Sequence, residues 1–203
     1  MKIICIGRNY VDHAKELNNP IPKSPVVFLK PDTALIKNGA PFFLPDHSND
    51  VHHELELVVK INRLGKHIEE RYAHKYFDEI GLGIDFTARD IQKVCKEKGL
   101  PWEIAKAFDG SAPLGNFIAI KELGKVNDLN FELKKNGESV QNGSSSNMIF
   151  SINQIISYVS KFFTLKIGDL IFTGTPAGVS QVVKGDKLTG YLNGTEVLKC
   201  KVL

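Results

Sequence analysis

At 203 residues the chain can bury one sizeable core, and 42% hydrophobic with 24% charged residues is the balance of a soluble globular protein. A formal net charge of +3 offers no argument for a nucleic-acid or membrane partner, and the densest basic cluster, 93–98, contains Glu97 and reads as a solvated helix face. Cys5, Cys95 and Cys200 lie far apart with no CxxC pair, which suits a reducing compartment, the cytoplasm, better than a disulfide framework.

The chain opens on Met-Lys-Ile-Ile-Cys-Ile, an apolar run too short for a signal segment or a membrane span. It predicts a first strand that meets Gly7 at once. Segment 7–16, "GRNYVDHAKE", follows. With a helix from Tyr10 onward, His13 and Glu16 share a face at a spacing of three. A histidine oriented by a carboxylate is a general-base pattern, and a surface His–Glu pair reads the same way.

Segment 51–60, "VHHELELVVK", has the composition of a strand. Alternation puts His52, Glu54, Glu56 and Val58 on one face and His53 among aliphatics on the other, as a satisfied core histidine. Two neighbouring glutamates fit a wet face. They equally fit convergence on one hard cation, since Mg²⁺, Mn²⁺ and Ca²⁺ take oxygen ligands. Burial of both without a cation would force one to take up a proton. Further along, the glycine-opened run 80–84 leads to Asp85 at a strand end, as either a helix-capping acid or a third oxygen ligand. Three such ligands leave about three of six octahedral positions open to water and substrate.

Thr87 with Asp90 reads as a helix cap, and the helix should end at Lys98 before Gly99 and Pro101. Arg89, Gln92 and Lys96 share one face, with Ile91, Val94 and Cys95 toward the core. Segment 101–108 sets Lys106 among Ile, Ala and Phe, either snorkelling or standing as a pocket cation for an anionic substrate. Asn136-Gly137 and Asn193-Gly194 predict tight hairpins, and Gly168-Asp169 and Gly185-Asp186 predict turns before strands. The polar stretch 141–147 reads as a loop, leading into a capping box at Ser151 and Gln154. The stripe Ile155, Ile156, Val159 and Phe162 or Phe163 predicts the helix that follows. Segment 169–178 runs from a strand into a Gly/Pro loop, where Thr173 and Thr175 could bind a carboxylate or form a plain turn. Many short strands with three or four helices, not in regular alternation, predict a β-rich α+β fold in one domain over 1–203.

Taken in order, "GRNYVDHAKEL", "PVVFLKP", "VHHELELVVKI", "GIDFTARDIQ", "KGLPWEIAKAFD", "SSSNMIFSINQIISYVS" and "GDLIFTGTPAGV" resemble the fumarylacetoacetate hydrolase family over essentially the whole chain. The likeness is to its small members, the acylpyruvases and oxaloacetate decarboxylases. It implies a mixed β-roll with flanking helices, like the family's C-terminal domain, as a homodimer with a Mg²⁺ or Mn²⁺ site. The metal ligands it implies are Glu54, Glu56 and Asp85. The catalytic residues would be His13, Glu16 and Lys106, and the substrate-binding ones Arg8, Arg89, Gln92 and Thr175. Ile6 stands where the fumarylacetoacetate-cleaving branch carries a further carboxylate, and that branch's large N-terminal domain is absent. Both argue against fumarylacetoacetate itself as substrate.

The resemblance implies divalent-metal-dependent cleavage of a carbon–carbon bond in a small 2-oxo acid, by acylpyruvate hydrolysis or oxaloacetate decarboxylation through a metal-stabilised pyruvate enolate. Lys106 would add positive charge beside the oxyanion. An isomerase or decarboxylase of dienedioates is the related alternative. A non-catalytic, metal-stabilised dimeric scaffold is the alternative of another class.

Overall fold

The structure, a computed structural model, describes residues 1–16 and 20–203. Leu17, at the end of the first family-like segment, lies outside the described residues. The strands are β1 (Ile3–Gly7), β2 (Val26–Lys30), β3 (Leu35–Ile36), β4 (Val51–His53), β5 (Leu55–Ile61), β6 (Phe77–Ile84), β7 (Thr87–Ala88), β8 (Ala112–Ala119), β9 (Asn130–Lys135), β10 (Glu138–Ser144), β11 (Leu170–Phe172), β12 (Ser180–Gln181), β13 (Lys187–Leu192) and β14 (Thr195–Lys201). The α-helices among the described residues are α1 (Val11–Glu16), α2 (Arg89–Lys98), α3 (Glu103–Lys106), α4 (Ile120–Leu123) and α5 (Ile152–Ser160), one or two more than expected because α3 and α4 span a single turn each. None is long and apolar enough to cross a membrane.

A seven-stranded mixed sheet runs β2-β1-β11-β5-β6-β8-β3. Its central strands are almost wholly buried: every residue of β5 except Lys60, and all of β11. Strands covered on both faces carry continuous apolar runs, which is why this region lacks clean alternation. A four-stranded antiparallel sheet, β10-β9-β13-β14, packs against it. The approach is close: a Cβ on Gly115 of β8 would lie 2.5 Å from the Val197 carbonyl oxygen of β14. A small sheet, β12-β4-β7, completes the roll.

Local signals read from the sequence hold where the chemistry is local. Asn136-Gly137 and Asn193-Gly194 turn with all four φ values positive and join β9 to β10 and β13 to β14. The capping box is present in both directions, Gln154 N donating to Ser151 Oγ at 3.3 Å and Ser151 N donating to Gln154 Oε1 at 2.9 Å. Gly99 terminates α2 at φ 64°.

Four expectations change. Segment 51–60 is not one strand: it breaks at Glu54, and its halves pair in different sheets. Thr87 does not cap a helix. It lies in β7, α2 starts at Arg89, and the Thr87 hydroxyl serves Asp85 and Lys106 instead. On α2 the buried residues are Gln92 and Cys95, while Val94 is exposed. Residues 141–144 are strand, not loop, paired with β9 beyond a bulge after Ser139. Their polar, glycine-bearing sequence misled because Gly143 is there to admit the Phe131 ring, which a Cβ would meet at 2.4 Å.

Gly83 of β6 lies opposite Glu56 of β5, beneath the ring of Phe172. A Cβ there would fall 2.5 Å from Phe172 Cε1 and 2.9 Å from Val58 Cγ2. Gly83→Ala should therefore destabilise the fold by about 1–3 kcal/mol through overpacking. Denaturant unfolding measures it, and a loss under about 0.5 kcal/mol would mean that the ring swings aside freely.

Candidate active site

The break at Glu54 builds the site. Asp85 follows β6 directly, and its N–H donates to the Glu54 carbonyl at 2.8 Å, so the two residues meet where β5 begins and β6 ends. Glu56, two residues on, faces the same space. The three carboxylates are buried, and each offers an oxygen within 4.8 Å of the others.

Three cations answer them. Lys106 Nζ donates to Glu54 Oε2 at 2.8 Å, Asp85 Oδ2 at 2.6 Å and Thr87 Oγ1 at 2.6 Å. Arg89 Nη2 donates to Glu54 Oε1 at 2.5 Å, while Nη1 donates to Gln92 Oε1 at 2.7 Å. Lys30, at the end of β2, bonds to Ser111 and to the Lys106 carbonyl. Its Nζ also pairs with Asp85 Oδ1 at 2.8 Å.

The carboxylates do not share this compensation equally. Burial opposes ionisation of Glu54, but Lys106 and Arg89 outweigh it and hold its pKa well below the usual range. Burial and then the charges of Asp85 and Glu54 push Glu56 well above it, against the single N–H of Gly174, which donates to Glu56 Oε2 at 2.8 Å. A buried carboxyl group pushed toward its neutral form by two neighbouring carboxylates fits a site for a cation. An all-oxygen donor set suits Mg²⁺ or Mn²⁺.

The general-base candidate joins the same pocket. His13 Nδ1 lies 3.3 Å from Glu16 Oε2, which accepts the Nδ1–H in the tautomer that leaves Nε2 basic. Burial lowers the His13 pKa although Glu54 and Glu16 oppose it, so the ring is neutral at pH 7. Glu16 Oε1 in turn accepts the N–H of Gly178 at 3.0 Å. Gly178 has φ 99°, and a Cβ there would lie 2.2 Å from the Val140 carbonyl oxygen, so only glycine supplies this N–H.

All ten residues singled out for the site are therefore placed. Nine of them line one pocket: Arg8, His13, Glu54, Glu56, Asp85, Arg89, Gln92, Lys106 and Thr175. Glu16 stands behind His13. All three N–H groups of Lys106 are taken by protein oxygens, so it stands in the pocket as a buried positive charge. Thr173 is structural, its hydroxyl donating to the Leu57 carbonyl at 2.9 Å.

Several residues of the site lay outside the sequence reading. Lys30 sits inside a family-like segment but carries no local mark. Asn9 clamps three segments: Nδ2 donates to the Thr173 and Phe150 carbonyls, and Oδ1 accepts the Phe150 N–H. Gln141 donates through Nε2 to Thr175 Oγ1 at 2.9 Å, while its Oε1 accepts from Leu55 N and His53 Nδ1. His53 Nε2 then accepts from Ser180 Oγ at 2.8 Å. Burial, reinforced by Lys135, pushes His53 down to about 4 despite the Gln141 bond, consistent with this neutral tautomer. The relay presents an amide hydrogen to Thr175, whose own hydroxyl hydrogen finds only a carbonyl 3.5 Å away.

The fold and this pocket define a family of enzymes. The pattern of the fumarylacetoacetate (FAA) hydrolase C-terminal family matches residues 2–203, and the chain belongs to that family. It is 45% identical over 200 residues to the mitochondrial oxaloacetate tautomerase FAHD1 of Rattus norvegicus, covering 98% of this chain and 90% of that one. It is 43% identical over 194 residues to the oxaloacetate tautomerase YcgM of Escherichia coli K12, with 95% and 89% covered. Its fold superposes with a TM-score of 0.94 on fumarylpyruvate hydrolase from Pseudomonas aeruginosa, solved with Mn²⁺ and pyruvate, at 35% identity over 100% of this chain and 89% of the other.

Because Glu56 holds its proton to unusually high pH without an ion, adding Mg²⁺ or Mn²⁺ should release that proton. Apparent affinity should fall as pH drops through the raised pKa, and rise with pH until Glu56 is fully ionised. Calorimetric titration in two buffers of different ionisation enthalpy counts the proton. Binding without proton exchange from mildly acid to neutral pH would show that Glu56 is already ionised.

Proposed function

We propose that this protein is a Mg²⁺- or Mn²⁺-dependent enzyme acting on small 2-oxo acids at the carbon next to the 2-oxo group, through acylpyruvate hydrolysis, oxaloacetate decarboxylation or the proton transfer of oxaloacetate tautomerisation. The observation that carries this reading is a buried Glu54–Glu56–Asp85 cluster in one pocket with a neutral, carboxylate-oriented histidine. A scaffold gains nothing from such a cluster, since buried charges often stabilise less than apolar residues of similar size.

Glu54, Glu56 and Asp85 would hold the ion, which when bound supplies a positive centre that draws electrons from the 2-oxo group. Lys106 orients Glu54 and Asp85 and, with Arg89, keeps Glu54 ionised, and it remains a fixed positive charge close to the reacting atoms. Arg89 and Gln92, already bonded to each other, and the Thr175 hydroxyl bind substrate oxygens. His13 Nε2 takes a proton from water for hydrolysis, or from the substrate carbon for tautomerisation. Glu16 steadies the resulting imidazolium. Decarboxylation requires electron withdrawal but no attacking water, so it places the smallest demand on His13. The buried thiols are free, and we place the protein in the cytoplasm.

Glu54→Gln or Asp85→Asn should abolish turnover and weaken metal binding, because each removes an anionic ligand. Full activity in excess chelator would end the metal assignment. His13→Ala should cut acylpyruvate hydrolysis by roughly 10²–10⁴-fold and oxaloacetate decarboxylation much less, read as kcat/KM at saturating Mg²⁺. Equal losses on both substrates would make His13 a residue that positions substrate, not a base.

A further inference from the structure

Gln141 stands behind the pocket wall, buried, with four hydrogen-bond partners on its side-chain amide. A β-bulge brings it there: beyond the irregularity after Ser139, β10 sets Gln141 opposite the buried Leu133 of β9. Its Oε1 accepts the Leu55 N–H and faces His53 Nδ1, both at 2.9 Å. Its Nε2 donates to Thr175 Oγ1 at 2.9 Å and to the Pro176 carbonyl at 3.0 Å.

Backbone groups fix the direction of this amide. Leu55 N can only donate and the Pro176 carbonyl can only accept, so the amide has one orientation. Every further bond then has one direction as well. His53 must donate from Nδ1, which leaves Nε2 to accept from Ser180 Oγ at 2.8 Å. Lys135 Nζ, a pure donor, reaches the same Ser180 oxygen at 3.1 Å and leaves the serine hydrogen for His53. At the pocket end, Thr175 Oγ1 receives a hydrogen from Gln141, so its own hydrogen must turn elsewhere. Its one protein acceptor in range among the described residues, the Pro176 carbonyl, is 3.5 Å away and already bonded to Gln141. Thr175 lines the pocket with Glu54, Glu56 and Asp85. The direction set by Lys135, at the end of β9, thus runs through Ser180, His53 and Gln141 to a hydroxyl at the site.

A purely structural clamp would need less. Leu55 N, at the start of β5, requires one acceptor. It does not require an amide that also directs a hydrogen at the next loop, or an imidazole held in one tautomer behind it.

We propose that Gln141 and His53 are positioning residues that hold the Thr175 hydroxyl as a hydrogen-bond donor toward the pocket, ready for an anionic oxygen of the substrate. The inference rests on the 2-oxo-acid reading of the pocket and adds to it two residues that touch no substrate. A donor oriented in advance needs no reorganisation when the anion arrives. Without Gln141 the Pro176 carbonyl is freed, and the Thr175 hydrogen turns to it.

A double-mutant cycle tests the coupling. Pyruvate is titrated calorimetrically, with saturating Mn²⁺, into the wild type, Gln141→Met, Thr175→Val and the double variant. Thr175→Val should weaken pyruvate by roughly 10- to 100-fold, the loss of one hydrogen bond to a charged group. Gln141→Met should weaken it in the same sense. In the Thr175→Val background, Gln141→Met should change pyruvate binding by less than about twofold, because no hydroxyl remains to be aimed. In acetylpyruvate turnover the Gln141→Met loss should fall on KM more than on kcat. Losses that multiply, as for independent sites, overturn the proposal and leave Gln141 a structural clamp. Long-range ¹H–¹⁵N spectra of the wild type, which need no variant to fold, should show His53 protonated at Nδ1 alone. A proton on Nε2 instead overturns the relay. A wild type that shows the Nδ1–H tautomer but binds no pyruvate with Mn²⁺ sinks the 2-oxo-acid reading and leaves the relay's direction standing.

Discussion

Everything in the pocket depends on a single electrostatic problem: three carboxylates gathered away from water. Isolated, none could stay charged at a tolerable cost. Lys106 meets most of that cost by spending its three N–H groups on Glu54, Asp85 and Thr87. Arg89 completes Glu54, and Lys30 approaches Asp85 from the other sheet edge. Glu56 is left as the member with too little compensation. That imbalance sets the cluster apart from a closed structural ion-pair network, in which every carboxylate would have a cationic partner.

The fold supplies the geometry for this arrangement. β5 and β6 lie at the middle of the seven-stranded sheet, with neighbours on both sides, so Glu56 and the ends carrying Glu54 and Asp85 have little freedom to drift. Asn9 and Gly174 bind the loop after β11 to the N-terminal segment, and a Cβ on Gly174 would strike Asn9 Cβ at 2.6 Å. The Gly174 N–H that serves Glu56 is thereby held in place. Glu16 is tied to the same loop through Gly178, so the base and the metal candidates are referenced to one stretch of backbone.

What could be read from the sequence was what is local or ordered along it. His13 and Glu16 are one helical turn apart. Glu54 and Glu56 are two residues apart, and their convergence survives the break at Glu54 because Asp85 N bonds across it. The hairpins and the capping box likewise need only their own residues. Lys30, Asn9 and Gln141 were beyond reach because each acquires its role from a partner 34 to 164 positions away. Thr87 looks like a helix cap in one dimension and becomes a lysine's third acceptor in three. Strand β10 resembles a loop until the Phe131 ring beneath Gly143 is seen. Lys96 is indistinguishable in sequence from the solvated lysines beside it, and only its half-buried position on the pocket wall beside Trp102 sets it apart.

The pocket's centre and rim come from different kinds of structure. Glu56 belongs to the ladder of the sheet, and Glu54 and Asp85 stand at its margin joined by a backbone bond, where a change of residue disturbs neighbours on several sides. Arg8 lies after the end of β1, Lys96 on a mostly exposed helix and Trp102 at the mouth of a one-turn helix. Replacement of these rim residues leaves the ladder untouched. Descendants of such a chain can therefore vary at a few tolerant rim positions, while the carboxylate cluster stays fixed by the cost of moving a strand.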